Sequence, residues 1–244
     1  MTEKDIKKKE MTLGFLAVIY GTILLLVITS ETVYFFKTDG SDGWFYSLHM
    51  FTNQSNFFIA VWFACYGVTR FIGQESKFSK FVCNRILITV ITVYITITFL
   101  VVAFVLAPIY KGHFIHGIDG ALLFTHLVTP IVMWIYFFLV QGNGNLKYRH
   151  AWYILAYPIC YALVNLLLGA VLRLRNTAEW LIDSESGDWV YIPGEKAYAY
   201  DFLNPYCYPN MFLFVLTILG LATFFGLLGM CLIKFKRYLV KTFY

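Results

Sequence analysis

Residues 12–36 read TLGFLAVIYGTILLLVITSETVYFF, and Glu31 is the only charged side chain in this stretch. A helix that crosses the hydrocarbon core of a membrane needs about 20 mostly apolar residues. No small-x-small cleavage pattern follows Ser30 and Glu31, so the segment does not resemble a removable secretory signal. We interpret it as an uncleaved first membrane span.

Further apolar runs of the same kind follow along the chain. The predicted spans cover about residues 12–36, 45–70, 85–109, 119–140, 151–173 and 209–234. The composition agrees, because 59% of the 244 residues are hydrophobic and only 14% are charged, and the mean hydropathy is +0.67. A chain this apolar cannot hide its surface in one soluble core. We predict an all-α integral membrane protein that forms a single transmembrane domain over residues 1–244.

Lys and Arg are distributed unevenly between the predicted loops. One side of the membrane holds most of the 19 basic residues, namely Lys4, Lys7, Lys8, Lys9, Arg70, Lys77, Lys80, Arg85, Lys147, Arg149, Lys234, Lys236, Arg237 and Lys241. Because cytoplasmic loops retain positive charge, we predict that both termini are cytoplasmic. The formal net charge of +5 suits anionic lipid head groups and gives no indication of a nucleic acid partner.

The loop between the fifth and sixth predicted spans, about residues 174–208, is long, acidic and aromatic. Within it, DWVYIPGEKAYAYDFLNPYCYP, residues 188–209, places Pro193 and Gly194 between two aromatic runs. That arrangement is typical of a hairpin turn. We predict a small hairpin that covers the outer mouth of the bundle. An interfacial belt of Tyr and Trp explains the same aromatic residues.

Polar side chains gather in the outer half of the second predicted span. The stretch HMFTNQSN places His49, Thr52, Asn53 and Asn56 at i, i+3, i+4 and i+7, which is one face of a helix. Polar groups within a span are costly and often mark a functional interior. We therefore predict a substrate-binding face here. Packing against neighbouring helices through hydrogen bonds explains the same pattern.

The fourth predicted span contains a second polar cluster. In GIDGALLFTHLVTP, residues 117–130, Asp119 and His126 lie on one helix face. Pro130 lacks an N–H, so the carbonyl of His126 loses its helical hydrogen bond and we expect a kink there. Asp119 is a further candidate for substrate binding. A histidine that is simply hydrogen-bonded within the bundle is the structural alternative.

Thr52 and His126 are predicted to lie at matching depth. If both helices run inward from the outer side, each residue lies about seven residues, or roughly 10 Å, from the outer end. A hydroxyl becomes a nucleophile when a base removes its proton, and histidine is the usual base. We predict Thr52 as the catalytic nucleophile and His126 as the base, with Asn53 or Asn56 donating to an oxyanion.

Metal and cofactor signals are weak. His113, His116 and Asp119 follow at three-residue intervals, which suits metal ligation on a helix, but a further ligand is not evident and two exposed loop histidines explain the spacing. The five cysteines are scattered and include no CxxC pair. No GxSxG, HExxH or P-loop motif occurs in the sequence. We predict no metal and no other cofactor.

Three short stretches resemble a known family. FTNQSN at 51–56, HLVTP at 126–130 and YAYDFLNP at 198–205 look like bacterial relatives of the androgen-induced six-span membrane proteins. Animal members of that family are threonine hydrolases that cleave fatty acid esters of hydroxy fatty acids. The resemblance implies that Thr52 is the nucleophile and His126 the catalytic histidine. The amide-rich surroundings of Thr52 and the long outer loop depart from the family and leave the substrate open.

The sequence thus supports three functions. The first is a lipid-ester hydrolase or acyltransferase in the outer leaflet, using membrane lipids or a lipid-like small molecule as substrate. The second is a non-catalytic lipid-binding or transport protein with a polar cavity. The third is a structural protein that docks partners on the long loop. We expect a bacterial plasma membrane location from the short chain and its lysine-rich ends, and the oligomeric state stays open.

Overall fold

The computed structural model describes residues 3–73, 75–106, 120–140, 146–174, 179–182, 189–192 and 198–243. Within these residues, six helices are long and apolar enough to cross a membrane: Lys7–Tyr34, Phe51–Ile72, Arg85–Phe104, Gly120–Phe138, Tyr148–Val171 and Met211–Lys241. The predicted number of spans is confirmed, and their ends shift by several residues. The protein is an integral membrane protein with multiple spans.

The helices depart from regular α-helix in the third, fourth and fifth spans. Helices α1 to α4 cover Glu3–His49, Phe51–Ile72, Lys77–Val82 and Arg85–Val101, and a π-helical turn at Val102–Leu106 continues α4. The fourth span comprises α5 (Gly120–Leu123), a π turn (Phe124–Val128), α6 (Thr129–Ile135) and a second π turn (Tyr136–Val140). The fifth begins as a 3₁₀ helix (Tyr148–Leu155) and continues as α7 (Ala156–Leu174), and the sixth is α8 (Met211–Phe243).

The chain forms two compact units, Met1–Tyr153 with Leu228–Tyr244, and Ile154–Leu227. The core of the first unit contains a cluster of aromatic side chains. Tyr136 packs against Trp62, Phe63 and Tyr66 with ring centroids 4.8, 6.1 and 4.9 Å away. The indole N–H of Trp62 donates to the carbonyl of Val82. This cluster joins α2 to the fourth span and to the short helix α3.

Small residues permit the close packing of α1 against α2. A methyl group added at Gly21 would lie 2.6 Å from the carbonyl oxygen of Ala60, and one added at Gly67 would overlap the side chain of Val18 and the carbonyl of Gly14. Backbones approach this closely only where side chains are absent, as is common between helices in membranes. The first two spans therefore form a tight antiparallel pair.

Helix α1 changes direction beyond its membrane span. The hydroxyls of Thr32 and Ser47 lie 3.1 Å apart, whereas 15 residues of a straight helix would separate them by about 22 Å. The helix axis must therefore reverse between these two residues. This reversal returns the chain toward α2, which begins after Met50.

The π turn at Phe124–Val128 lies immediately before Pro130. The backbone N–H of Thr129 donates to the carbonyl of Phe124, five residues earlier, and its hydroxyl donates to the same oxygen at 3.0 Å. Proline cannot donate to the preceding turn, and a π turn is one way in which a helix absorbs the defect. The predicted disturbance next to His126 therefore takes the form of a widened helical turn.

Two basic residues are held inside the first unit. Lys236 of α8 is 4% exposed, and its ammonium donates to the carbonyls of Phe137 and Phe138 at 2.7 and 3.1 Å. These carbonyls belong to the last turns of the fourth span, where a cation offsets the negative helix end. Arg70 forms an ion pair with Glu10 at 2.6 Å. The first contact joins the sixth span to the fourth, and the second joins the second span to the first.

In the second unit, the segment before α8 docks on α7. The amide of Asn165 donates to the carbonyl of Tyr161 at 3.0 Å and accepts from the N–H of Ala199 at 3.4 Å. The ring of Tyr198 covers Gly169, where a methyl group would overlap it. The aromatic stretch at 198–205 is therefore a docking segment of the fold.

The described residues contain a hairpin, but it is not the predicted one, which was centred on Pro193 and Gly194. Strands β1 (Glu179–Ile182) and β2 (Trp189–Ile192) pair antiparallel, with Trp180 opposite Tyr191. Pro193 and Gly194 follow β2 and lie outside the described residues. The physical reason is that Tyr198 and Ala199, in the second aromatic run, pack against α7 and do not form a strand.

Gly169→Val is expected to lower the stability of the second unit by about 1–3 kcal/mol, because overpacking a filled contact has that cost. Thermal unfolding of the purified protein in detergent measures it. Ala170→Val is the matched control, since Ala170 is the exposed neighbour on the same helix. Equal melting temperatures for the two variants would contradict the Tyr198 contact.

Candidate functional site

The predicted polar stripe is divided between two helices. His49 is the last residue of α1, Met50 has extended backbone angles (φ −68°, ψ 130°), and α2 begins at Phe51. The expectation that His49 shares one helix face with Thr52 was therefore wrong, because the backbone leaves the helical conformation between them. Thr52, Asn53 and Asn56 do lie together, in the first two turns of α2.

Asn53 holds the junction between the two helices. Its side-chain amide donates to the carbonyl and to the hydroxyl of Ser47, at 3.0 and 2.9 Å. The Ser47 hydroxyl also contacts Thr32, whose own hydroxyl donates to Ile28. Both amide hydrogens of Asn53 are therefore directed at Ser47, and the residue positions the start of α2.

Asn56 is fully buried, at 0% exposure. Its amide donates one hydrogen to the carbonyl of Thr52 at 3.0 Å. Among the residues that the structure describes, its side-chain oxygen has no hydrogen-bond partner. A buried acceptor without a donor costs free energy, so a water or a bound molecule is expected to supply one. Among the described residues, the side-chain nitrogen of Asn56 makes this one hydrogen bond.

The hydroxyl of Thr52 differs from the other threonine hydroxyls. Every other threonine whose side chain the structure describes makes at least one hydrogen bond, mostly to a carbonyl of the preceding helical turn. Thr52 is the second residue of α2, so its preceding turn belongs to a different segment. Within the described residues its hydroxyl is unbonded, while the side chain is half-buried.

His126 is held by its own helix. Its Nδ1 atom lies 2.9 Å from the hydroxyl of Thr125 and 3.0 Å from the carbonyl of Leu122. The Thr125 hydroxyl already donates to the carbonyl of Ala121 at 2.9 Å. Both neighbours of Nδ1 are thus acceptors, which favours the tautomer with hydrogen on Nδ1. The Nε2 atom then has a free lone pair, as a general base requires.

Thr52 and His126 lie at similar distances along their helices from one shared aromatic contact. The rings of Phe63 on α2 and Tyr136 on the fourth span are in contact, and positions along the two helices can be counted from this pair. Thr52 precedes Phe63 by 11 residues and His126 precedes Tyr136 by 10, which correspond to about 16 and about 15 Å along the helices.

The two residues nevertheless share no hydrogen bond among those of the described part of the chain. Helix α2 packs against the π turn that carries His126, so the helices are neighbours. Proton transfer needs about 2.6–3.2 Å between the heavy atoms or one bridging water, although such contacts often tighten only when substrate binds. Proton transfer from Thr52 to His126 therefore needs side-chain rotation or a bridging water.

Sequence reasoning missed a set of interhelical hydrogen bonds around this region. Ser55 of α2 contacts Thr98 of α4 at 2.9 Å, Trp134 of the fourth span donates to Thr96 at 2.8 Å, and Tyr20 of α1 donates to Thr129 at 2.9 Å. Four spans are thereby joined by polar contacts. The sequence shows that each of these apolar runs contains a polar side chain. Which polar side chains hydrogen-bond to each other is seen only in the tertiary structure.

The other predicted site residues lie near the start of α2 or outside the described residues. Asp119, predicted for substrate binding, lies outside the described residues, as do His113 and His116. His49 is buried next to the junction at Met50. Of the candidate substrate-binding residues, Asn53 and Asn56 lie in the first turns of α2 beside Thr52.

The fold and the site define a multispan integral membrane protein with a polar interior. Thr52, whose hydroxyl makes no hydrogen bond within the described residues, lies at the start of the second span, and His126 lies in a π turn of the fourth. No protein family model matches the chain, and neither the curated proteins nor the solved structures include a match. The resemblance to the androgen-induced six-span family therefore rests on the quoted residues alone.

Proposed function

We propose that the protein is an intramembrane lipid-ester hydrolase or acyltransferase that uses Thr52 as nucleophile and His126 as base. The observation that carries this proposal is the unbonded hydroxyl of Thr52, in a structure where the other described threonine hydroxyls are all engaged. A hydroxyl that donates to its own helix must first break that bond, whereas Thr52 is ready to donate to a base.

The reaction would proceed in two half-reactions. Nε2 of His126 takes the hydroxyl proton as Oγ1 of Thr52 bonds to the ester carbonyl carbon, which forms a tetrahedral oxyanion. Collapse breaks the ester bond, and the leaving alkoxide takes the proton from His126. In the second half-reaction, His126 takes a proton from water as the water attacks the acyl-threonine. Collapse of this second intermediate releases a fatty acid and restores Thr52. An alcohol in place of water would give acyl transfer.

The oxyanion needs preformed donors. The second amide hydrogen of Asn56 is a candidate, since the first is bonded to the Thr52 carbonyl. The first turn of a helix also has backbone N–H groups without intrahelical partners, and Met50 supplies no side-chain cap for α2. Removing one donor of this kind typically costs about a hundredfold to a thousandfold in kcat. Asn53 serves as a positioning residue because Ser47 engages its amide.

Charge and helix position suggest the location of the site. With both termini in the cytoplasm, as the distribution of Lys and Arg favours, the starts of the second and fourth spans face the outer leaflet. The site would then meet the ester groups of membrane lipids in a bacterial plasma membrane. A lipid or lipid-like molecule is therefore the proposed substrate.

Labelling with a fluorophosphonate probe tests the nucleophile. We expect the wild type to be labelled, Thr52→Ala to lose at least about nine-tenths of the label, and Thr52→Ser to retain part of it because the hydroxyl remains. Thr22→Ala is the control, since its exposed hydroxyl is bonded to the carbonyl of Val18. Equal labelling of wild type and Thr52→Ala would refute the assignment.

A non-catalytic lipid-binding protein is the second candidate function, and the missing hydrogen bond between Thr52 and His126 favours it. In that case the polar residues line a binding site, and Asn56 accepts a hydrogen bond from the ligand. The distinguishing result is a Thr52→Ala variant that binds a fluorescent lipid as tightly as the wild type, while neither protein cleaves it.

A further inference from the structure

A groove of about 520 Å³ lies between α1 and the start of α2. Its volume falls within the range of about 300–1,000 Å³ that is usual for small-molecule sites. Six of the residues that line it recur on one face of α1, and two belong to the end of α1 and to α2: Leu25, Ile28, Thr29, Thr32, Val33, Phe36, Leu48 and Phe57. Each of these side chains is uncharged.

The polar atoms in the groove are already engaged. Thr29 donates to the carbonyl of Leu25 at 2.8 Å, and Thr32 donates to the carbonyl of Ile28 at 2.9 Å. With their hydroxyls turned to the helix backbone, these threonines present mainly their methyl groups. The groove therefore offers neither charge nor free hydroxyl hydrogens to a polar head group, and an apolar occupant fits it best.

The α1 residues that line the groove extend along the helix. The α1 face from Leu25 to Phe36 runs for about 16 Å at about 1.5 Å per residue. Its floor contains the buried Ile28 and Thr32, while Val33 and Phe36 form part of an exposed rim. An apolar groove that follows this face of α1 suits one extended hydrocarbon chain.

The groove reaches the junction between α1 and α2, although Thr52 itself is not among the residues that line it. Leu48 and Phe57, two of its lining residues, precede and follow Thr52 in the chain. Thr32 contacts Ser47, which accepts hydrogen bonds from Asn53, the residue next to Thr52. A chain in the groove would thus bring its polar end toward the first turn of α2.

We propose that this groove binds one acyl chain of the substrate and so determines the acyl-chain length that the protein accepts. The position of the ester relative to Thr52 rests on the proposed function, whereas binding of the chain does not. Leu25 and Phe36 lie toward the two ends of the α1 face, with Thr29 on the wall between them. A bulky residue at position 29 should shorten the usable channel.

Chain-length preference provides the first test. We expect Thr29→Phe to lower kcat/KM for the palmitoyl ester of 4-methylumbelliferone by at least about tenfold relative to the butyryl ester, the size of effect that one methylene can produce in an apolar pocket. Thr22→Phe is the matched control, because Thr22 is an exposed and similarly bonded threonine of α1 outside the groove. An equal change for both esters, or the same change in the control, would overturn the proposal.

A binding readout separates this inference from the proposed function. A palmitoyl ester with a terminal diazirine is cross-linked to the protein in nanodiscs, and the labelled peptides are mapped by mass spectrometry. The groove is supported if residues 25–36 carry more label than the exposed face of α8 near Leu216, and if Thr29→Phe, but not Thr22→Phe, reduces that label. This result supports the groove even if no ester is cleaved. Hydrolysis with label spread evenly over both surfaces would overturn the groove and leave the catalytic proposal standing.

Discussion

Replacing His126 with alanine is expected to lower kcat for ester hydrolysis by about a thousandfold or more, because general base catalysis typically contributes a factor of about 10² to 10⁴. KM should change little, since the imidazole acts on the Thr52 proton and not on the acyl chain. Steady-state kinetics with a long-chain ester in detergent micelles measure both constants.

The histidine prediction has a matched control and a diagnostic double variant. His150→Ala removes a histidine whose Nδ1 accepts from the backbone N–H of Lys147, and it should retain activity. The variant with both Thr52→Ala and His126→Ala should be no slower than the slower single variant, because residues that act as one unit have non-additive effects. Multiplying effects would indicate that the two residues act independently and would contradict their pairing.

Replacing Gly67 with leucine is expected to have the largest effect on stability. A side chain at this position would overlap Val18 and the backbone of Gly14, and backbone cannot move aside as a flexible side chain can. Overpacking typically costs about 1–3 kcal/mol and occasionally more, and we expect the upper end of that range here. Equilibrium unfolding in mixed micelles measures the loss.

Gly220→Leu is the control for Gly67→Leu. Gly220 lies in α8, and a methyl group added there would meet no described atom within 4 Å. Both variants gain the same helix propensity, so their difference isolates the contact between α1 and α2. A similar change in stability for the two variants would show that close approach at Gly67 is not required.

The spans were predictable because hydropathy is a property of local sequence. A run of about 20 apolar residues is stable in the nonpolar interior of a membrane, where a helix lets its backbone N–H and C=O groups hydrogen-bond to each other. The ends were less predictable. His49 appeared to continue the second span, yet the chain leaves the helix at Met50, since α1 reverses and must join α2 through a short connection.

The hairpin is a second feature whose position local sequence did not predict. The turn residues Pro193 and Gly194, with an aromatic run on each side, favoured a hairpin centred there. Instead β2 ends at Ile192 and pairs with the earlier strand β1, while Tyr198 packs on Gly169. A local turn signal cannot show that a more distant helix offers the better partner for an aromatic ring.

The sequence by itself determined the all-helical membrane class, the number of spans and the two helices that carry Thr52 and His126, because apolar length and polar interruption are encoded within each segment. Only the tertiary structure decided which polar groups are engaged. Ser55 with Thr98 and Trp134 with Thr96 meet across helices. Within the described residues, the Thr52 hydroxyl makes no hydrogen bond because Thr52 begins a helix. Such differences arise from distances between segments, which no local pattern contains.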